Sequence, residues 1–425
     1  MKRRSWLVLL AVVLGVVAAT FAATASSKPA AKKIEVLSLW GGSEKDAFLK
    51  VTKAFTDKTG IDVTYTGARD FEPVIRTRLA AGNPPDVAIV PRPGALLGLA
   101  KQGAIKDLGS LGITKSYLKA RYDAGLIALL TSGGKIYGLP AKGNSKSVVW
   151  YRPDQFAKYK LKPAKTWAQL ISITNKLRAK GQKPWAAGAK DSWTLTDWFE
   201  NVYIRTAGPA KYQRLFTGKV KFTDASVKTA LRDMLQILSA RNLTGGIQGS
   251  LGTGFVDGIG RVFGKTPSAQ LYMEGGFVGG IATQQVNTDL KVGKTINSFP
   301  FPAIKPGTGG YVVFGGDYAS AFNSSDEVKQ FLKYISSAPA GAIWISTGAV
   351  TSPNKLVKNS GYPNAIVRTE AKQLASAKAI RYDGSDLLPG TLADDWGSAL
   401  QKIFQSPGSM NGVLSDFQKE AAKQF

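Results

Sequence analysis

Residues 34–63 have the sequence IEVLSLWGGSEKDAFLKVTKAFTDKTGIDV, and this stretch decides the fold class. Its first seven residues are mainly apolar and β-branched, which predicts a strand that ends at a pair of glycines. Apolar residues then recur between positions 48 and 55 at the three- and four-residue spacing of an amphipathic helix. We expect Ser43 and Asp46 to form a capping box at the start of this helix and Gly60 to end it.

The same alternation continues after this stretch. Residues 61–65 predict a second strand, residues 73–81 a helix, and residues 86–90 a buried third strand. Strands that alternate with amphipathic helices predict an α/β fold with a parallel sheet. In such sheets, ligands bind beyond the carboxyl ends of the strands. We therefore expect the functional residues in the loops that follow the three strands.

Two later helices and a linker indicate a second lobe. Thr166 is expected to cap one helix, and either Ser325 or Asp326 to cap the other. Between these helices, residues 299–310 are rich in proline and glycine and predict a linker. The sequence thus predicts two α/β lobes with more than one crossing between them.

The composition excludes several classes of chemistry. The 425 residues include neither cysteine nor histidine, so disulfides, Cys/His zinc sites and histidine or thiolate catalysis are excluded. The net charge is +27, but the basic residues are scattered and the densest groups lie in the leader. Nucleic-acid binders concentrate such residues in stripes or runs. We therefore expect an envelope protein with no nucleic-acid partner.

The N-terminus is typical of an export signal. Residues 1–25 contain a basic start at Lys2–Arg4, an apolar stretch at Leu7–Ala19 and small residues at 23–25, which signal peptidase requires. An uncleaved membrane anchor is the alternative, because the apolar stretch is at the lower limit of a membrane span. Residues 26–33 predict a flexible mature start, and the lack of cysteine excludes a lipid anchor. We expect a periplasmic protein or, in a single-membrane organism, an envelope-associated one.

Short motifs along the chain carry a resemblance to a known family: Trp40–Glu44, Ala54–Val63, Gly82–Val87, Lys135–Pro140, Val149–Tyr151 before Pro153 and Asp154, Pro163–Trp167 and Asp383–Pro389. In order and spacing they resemble the family 1 extracellular solute-binding proteins, the carbohydrate receptors of ABC importers, most nearly the alpha-glucoside branch. The resemblance implies a two-lobe periplasmic-binding-protein fold of type II, like that of maltose-binding protein. It also implies that a sugar is held in the cleft, that a hinge closes on it, and that a membrane permease receives it.

The resemblance further implies where the lobes and the hinge lie, and that the chain is not an enzyme. We expect no cofactor, no bound metal and a monomer. The expected N-lobe comprises residues 34–143 and 313–350, and the expected C-lobe residues 144–312 and 351–425. Crossings are expected near 143–147, 301–313 and 350–353.

Candidate sugar-binding residues follow the three predicted strands. A sugar site pairs flat aromatic rings, which cover the apolar faces, with polar side chains that bind the hydroxyls. A packed tryptophan in a turn is the alternative for the first group below, and a solvated ion pair is the alternative for the second. The candidates are Trp40, Gly41 and Gly42 after the first strand, Arg69 and Asp70 after the second, and Arg92 after the third.

Further candidates lie later in the chain. Trp193 and Asp197 are four residues apart and share one face of a predicted helix, whereas Trp198 is expected in the core. Asp317, at the end of a strand, is an expected hydroxyl acceptor. The resemblance places the remaining candidates at the cleft: Tyr272, Gly275, Gly276, Phe277, Asp383 and Asp386.

Three other functions stay open at this point. Paired carboxylates such as Asp383 and Asp386 also suit a secreted glycoside hydrolase. Arg69 and Arg92 suit a receptor of the same fold that binds an organic anion. The positive charge of the chain suits an envelope adhesin.

Overall fold

The computed structural model describes residues 32–425, so the expected export signal lies outside the described residues. Lys33, expected in a flexible start, already begins the first strand. Within the described residues the strands are β1 Lys33–Ser38, β2 Asp62–Gly67, β3 Val87–Val90, β4 Thr131–Ser132, β5 Lys135–Ile136, β6 Leu139–Ser145, β7 Val148–Tyr151, β8 Leu271–Met273, β9 Asn297–Pro300, β10 Tyr311–Ala321 and β11 Ala379–Tyr382.

Helices make up most of the remaining regular structure. Among residues 32–425, none of them combines the length and the apolar character needed to cross a membrane. The α-helices are α1 Gly42–Thr59, α2 Phe71–Ala80, α3 Pro93–Lys101, α4 Lys115–Lys119, α5 Ala124–Ala128, α6 Pro153–Lys158, α7 Trp167–Ala179, α8 Trp193–Ala207, α9 Pro209–Leu215, α10 Ala225–Ile237, α11 Gly246–Leu251, α12 Phe255–Phe263, α13 Val278–Ile281, α14 Asp326–Ile335, α15 Ala338–Ser346, α16 Ala365–Ala375, α17 Leu392–Gln405 and α18 Met410–Ala421.

The larger sheet has the strand order β11-β10-β3-β1-β2, with β6 also paired to β10. Strand β1 runs parallel to β2 and β3, as the sequence predicts. Strand β10 is antiparallel to β3 and β6 but parallel to β11. The sheet is therefore mixed: the parallel pairing predicted for the opening strands is confirmed, and β10 and β6 add antiparallel pairs to it. Its last strand comes from residues 379–382, which the sequence assigned to the other lobe.

The smaller sheet has the order β8-β7-β9 and is antiparallel. Its middle strand alternates between two hydrophobic clusters: Val149 and Tyr151 face one, and Val148 and Trp150 face the other. The larger sheet is likewise covered on both faces, since neighbouring β3 residues belong to different clusters. Two sheets, each sandwiched between layers of packed side chains, form the two lobes of an α/β protein.

The chain passes between the two sheets close to the predicted crossings. Strand β6 of the larger sheet continues directly into β7 of the smaller one, and residues 301–310 lead back from β9 to β10. Thr351 forms a β-bridge with Gly143, so a third segment lies beside the first crossing. Of these segments, the first crossing reaches the cavity described below, through Lys142 and Lys146.

Helix ends test the local predictions. Helix α1 begins at Gly42 and has no side-chain cap, so the capping box expected from Ser43 and Asp46 is wrong. Gly60 ends α1 with φ 71°, as predicted. Thr166 caps α7 and forms a capping box with Gln169. Ser325, rather than Asp326, caps α14.

Candidate functional site

A cavity of about 650 Å³ lies beyond the carboxyl ends of β1, β2 and β3. Its opposite side is formed by the first residues of α8, α12 and α17. Of the residues that the sequence singled out, the cavity is lined by Trp40, Arg69, Asp70, Arg92, Trp193, Phe277, Asp317 and Asp386. The lining does not include Gly41, Gly42, Asp197, Tyr272, Gly275, Gly276 or Asp383.

Three aromatic rings form one wall of the cavity. The ring centroids of Trp193 and Phe255 are 5.2 Å apart, and Phe277 lies 6.1 Å from each of them. All three residues stand at or directly before the first turn of a helix, where a side chain can face a cleft. Trp193 and Phe277 are half-buried, so part of each ring is available to a ligand. We name these three residues the aromatic wall.

Backbone contacts fix the position of Phe255 in this wall. Its N–H donates to Asp191 Oδ2 at 2.7 Å, and its carbonyl accepts from the Tyr272 hydroxyl at 3.0 Å. Tyr272 itself is buried, and a Cβ at Gly258 would come within 2.7 Å of its ring. Tyr272 therefore supports the wall from behind and does not reach the cavity.

Trp40 lies at the cavity but is only 1% exposed. Its ring packs edge-on against Phe48 and Trp344, with centroids 5.1 and 5.2 Å away. Its Nε1–H donates to Asp317 Oδ2 at 2.9 Å. The structure thus places Trp40 as the packed tryptophan of the alternative interpretation, where it orients the Asp317 carboxylate.

Gly42, Gly275 and Gly276 lie where a neighbouring side chain packs closely against the backbone. Gly42 has φ +52°, and a Cβ there would lie 2.1 Å from the Gln285 side chain. A Cβ on Gly275 would strike the Phe277 ring at 2.4 Å, and one on Gly276 the Glu370 carboxylate at 2.0 Å. At these positions a side chain would meet another group too closely, whereas a Cβ on Gly41 would make only an ordinary contact with Arg69 at 3.9 Å.

Lys142 of β6 and Lys146, which directly follows β6, reach the cavity and organise the carboxylates around it. Lys142 forms an ion pair with Glu44 and lies 3.9 Å from Asp317. Lys146 Nζ contacts Asp383 Oδ2 at 2.5 Å and Asp197 Oδ1 at 3.2 Å. Asp386 lies 3.8 Å from the same nitrogen.

Burial and this single lysine set the protonation of the acids around it. Burial raises the pKa of Asp197 to about 7, and the attraction of Lys146 only partly opposes that rise. Burial acts in the same direction on Asp383, but Lys146 outweighs it and lowers the pKa of Asp383 to about 2. For Asp386, burial and then the Asp383 charge raise the pKa well above its usual range. Asp383 is thus held as the counter-ion of Lys146.

The charged residues after β2 and β3 are engaged with other protein groups. Arg69 lies 3.9 Å from Glu44 and has its guanidinium 5.0 Å from the centroid of the Phe255 ring, so its partner is not the adjacent Asp70. Arg92 binds both Glu72 and Asp394. Asp70 is exposed at the cavity.

Comparison with known proteins identifies the family. A sequence model of the family described as bacterial extracellular solute-binding protein matches residues 41–342. The chain belongs to this family. The osmoprotective compounds-binding protein GgtB of Synechocystis sp. is 30% identical over 385 residues, which cover 89% of this chain and 90% of that protein. The alpha-glucosides-binding periplasmic protein AglE of Rhizobium meliloti is 30% identical over 369 residues, covering 83% of this chain and 79% of that protein.

Solved structures of this kind share the fold. Maltose-bound MalE3 of T. maritima matches with a TM-score of 0.74 at 17% identity, covering 93% of this chain and 100% of that one. At this identity the similarity establishes the fold alone. This solute-binding protein therefore has the two-lobe fold like that of maltose-binding protein, and it belongs to a family of receptors that serve ABC importers.

Several cavity residues of this solute-binding protein were not found from the sequence. Lys142 lies in β6 and Lys146 directly follows it, and their only sequence signal is that Lys146 falls within the predicted crossing at 143–147. Phe255 lies in the glycine-rich stretch 252–258, which departs from the G-x-G-x-x-G spacing of a nucleotide-binding loop and indicated no site. Asp191 gave no signal beyond its charge, and Glu44 was part of the Trp40–Glu44 motif but was not proposed as a site residue. Their roles depend on contacts with residues distant in the chain.

Proposed function

We propose that the chain is the exported substrate-binding protein of an ABC importer and captures an alpha-glucoside or another small oligosaccharide in this cavity. The observation that carries the proposal is a cavity of about 650 Å³ that has the aromatic wall on one side and carboxylates on the other. That volume lies within the range of small-molecule sites. Flat rings cover the C–H faces of a pyranose, and the carboxylates accept hydrogen bonds from its hydroxyls.

The charge of the cavity supports a neutral sugar over an organic anion. Eight carboxylates and five basic side chains line it, although the whole chain carries a charge of +27. Four of those basic residues, Arg69, Arg92, Lys142 and Lys146, lie within 4 Å of a carboxylate. An anionic ligand would have to displace these pairs and meet an excess of negative charge.

The surroundings of the candidate acids support binding without catalysis. A glycoside hydrolase needs one carboxyl group as acid and another as nucleophile or base, both in reach of the sugar. Asp383 is fully buried and paired with Lys146. Asp383 therefore has a structural role. Of the candidate catalytic pair Asp383 and Asp386, Asp386 alone lines the cavity.

The relatives support the ligand class and the partners. The alpha-glucosides-binding periplasmic protein matches over most of its length, which favours a periplasmic location and a sugar ligand; we propose that the chain acts as a monomer and delivers the sugar to a permease. Ligand would drive closure by binding the closed form more tightly than the open one. The crossings at 145–148 and 301–310, with Thr351 beside the first, would serve as the hinge between lobes 34–143/313–350 and 144–312/351–425, except that β11 (residues 379–382) pairs within the sheet of the first lobe.

A thermal-shift screen tests the proposal. The panel comprises maltose, trehalose, sucrose, raffinose and galactose, with citrate and succinate as the anionic arm. A ligand at 100 times its dissociation constant stabilises the protein by about 2.7 kcal/mol. We expect at least one glucoside to raise Tm and both anions to leave it unchanged. A shift with the anions alone would overturn the ligand class, and turnover of a chromogenic glucoside would overturn the receptor function.

A further inference from the structure

Arg92 connects two segments that belong to different lobes. It precedes α3 at the end of β3, and its Nη2 forms an ion pair with Glu72 of α2. Its Nη1 donates to Asp394 Oδ1 of α17 at 3.0 Å, across 302 positions in the chain. One guanidinium thus joins a carboxylate beside the larger sheet to a carboxylate on a helix of the other lobe.

The two carboxylates stand on separate hydrophobic cores. Phe71, next to Glu72, packs in the cluster that covers β3. Leu392 and Trp396, on either side of Asp394, pack in the cluster of the smaller sheet. A motion of one core relative to the other would change the distance between Arg92 and Asp394.

Arg92 is placed to hold protein groups and not a sugar. Its side chain is 20% exposed, and both terminal nitrogens already bind carboxylates. Asp394 is 58% exposed and can separate from Arg92 into solvent at little cost. Glu72, by contrast, is largely buried and remains with Arg92 on its own lobe.

We propose that Glu72, Arg92 and Asp394 form a closure clamp that stabilises the closed form of the cleft, with Arg92 as a positioning residue. The proposal rests on the proposed function for its link to ligand affinity. When only a fraction of the protein is in the competent form, the apparent dissociation constant is the intrinsic one divided by that fraction. Loss of the clamp therefore raises the apparent dissociation constant of every ligand by the same factor. Loss of a sugar contact instead changes the ratio between the dissociation constants of different ligands.

The first experiment compares adjacent carboxylates of α17. Asp394→Asn removes the clamp, Asp394→Glu keeps the charge, and Asp395→Asn is the matched control, because Asp395 is exposed and accepts only from Thr391. For Asp394→Asn we expect about fivefold weaker binding of two different sugars, with the ratio of their dissociation constants unchanged. Asp394→Glu should restore most of the affinity, and Asp395→Asn should bind as the wild type does.

The clamp also predicts a salt dependence of affinity. Raising the ionic strength should weaken sugar binding by the wild type more than by Asp394→Asn, because only the wild type has the ion pair to screen. Wild-type affinity in Asp394→Asn would overturn the clamp, and so would an altered ratio between the two sugars.

A second experiment does not depend on a sugar. The chain has no cysteine, so Lys50→Cys on α1 and Lys176→Cys on α7, both exposed, provide one spin label per lobe. In the ligand-free protein we expect Asp394→Asn to shift the distance distribution to longer values than Asp395→Asn does. Superimposable distributions would overturn the clamp. Absence of sugar binding by the wild type would instead overturn the proposed function.

Discussion

The cavity wall that follows β1, β2 and β3 carries charged side chains, whereas the opposite wall carries three aromatic rings. On the charged wall, Arg92 is bound to two carboxylates, and Arg69 lies 3.9 Å from Glu44 with its guanidinium beside the Phe255 ring. On the aromatic wall, Trp193 and Phe277 are half-buried and open to the cavity. The difference indicates that the two walls have different roles. The rings provide most of the contact area with a sugar, whereas the charged wall orients the sugar and contacts the other lobe.

The largest expected effect is on stability and comes from Lys146, Asp197 and Asp383, which we call the floor of the cavity. Lys146 lies 5.6 Å from the Trp193 ring centroid and neutralises buried carboxylates. In Lys146→Met, Asp197 and Asp383 lose their cation, so we expect the free energy of unfolding in urea to fall by about 3–5 kcal/mol. Lys190→Met is the control, because Lys190 is exposed at the same cavity. Equal stability of both variants would show that the acids do not depend on Lys146.

Trp193→Ala tests the aromatic wall directly. We expect sugar binding to weaken by about 2 kcal/mol, because the variant removes the largest ring of the wall. Trp193→Phe should retain part of the affinity, since it keeps an aromatic face. Isothermal titration measures both, and urea unfolding checks that each variant is folded. Wild-type affinity in Trp193→Ala would mean that the ligand does not contact this wall.

The sequence predicted the walls unequally. Strands and helices that carry the charged wall follow from local periodicity, so Arg69, Asp70 and Arg92 fall at strand ends where the sequence placed them. Their partners did not follow, because the link from Arg92 to Asp394 spans 302 positions. The aromatic wall was predicted through Trp193 and Phe277 but without Phe255, whose place depends on Asp191 and Tyr272. Side-chain pairing across the chain left no local pattern to detect.

Asp70→Ala tests the exposed part of the charged wall. Asp70 faces the cavity and is exposed, so it is the side chain of that wall best placed to accept from a hydroxyl. We expect sugar affinity to fall by about 1 kcal/mol, less than for Trp193→Ala. Asp46→Ala on α1, exposed and outside the cavity, should bind as the wild type does. An effect as large as that of Trp193→Ala would contradict the division between the walls.

The last expected effect concerns pH and the acids beneath the walls. Because burial raises the pKa of Asp197 to about 7, the folded state keeps a proton that the unfolded state has lost between about pH 4 and 7. Stability therefore decreases as pH rises through this window. Asp383, whose pKa Lys146 lowers to about 2 against the effect of burial, acts oppositely: its contribution is present above about pH 4 and is lost as pH falls towards 2.

Asp197→Asn separates these two contributions. The variant has no proton to lose at this position, so the decrease in stability between pH 4 and 7 should become shallower by up to about 1.4 kcal/mol per pH unit. The decrease should not vanish, because burial also raises the pKa of Glu370, beside the Gly143–Thr351 crossing, to about 7. The loss of stability at low pH should remain, since Asp383 and Lys146 are unchanged. Urea unfolding at pH 3, 4, 5.5 and 7 measures each slope, and parallel curves for variant and wild type would show that Asp197 is ionised throughout. In that case the floor of the cavity would be more negative than it is with Asp197 protonated, and the preference for a neutral ligand over an anion would be stronger still.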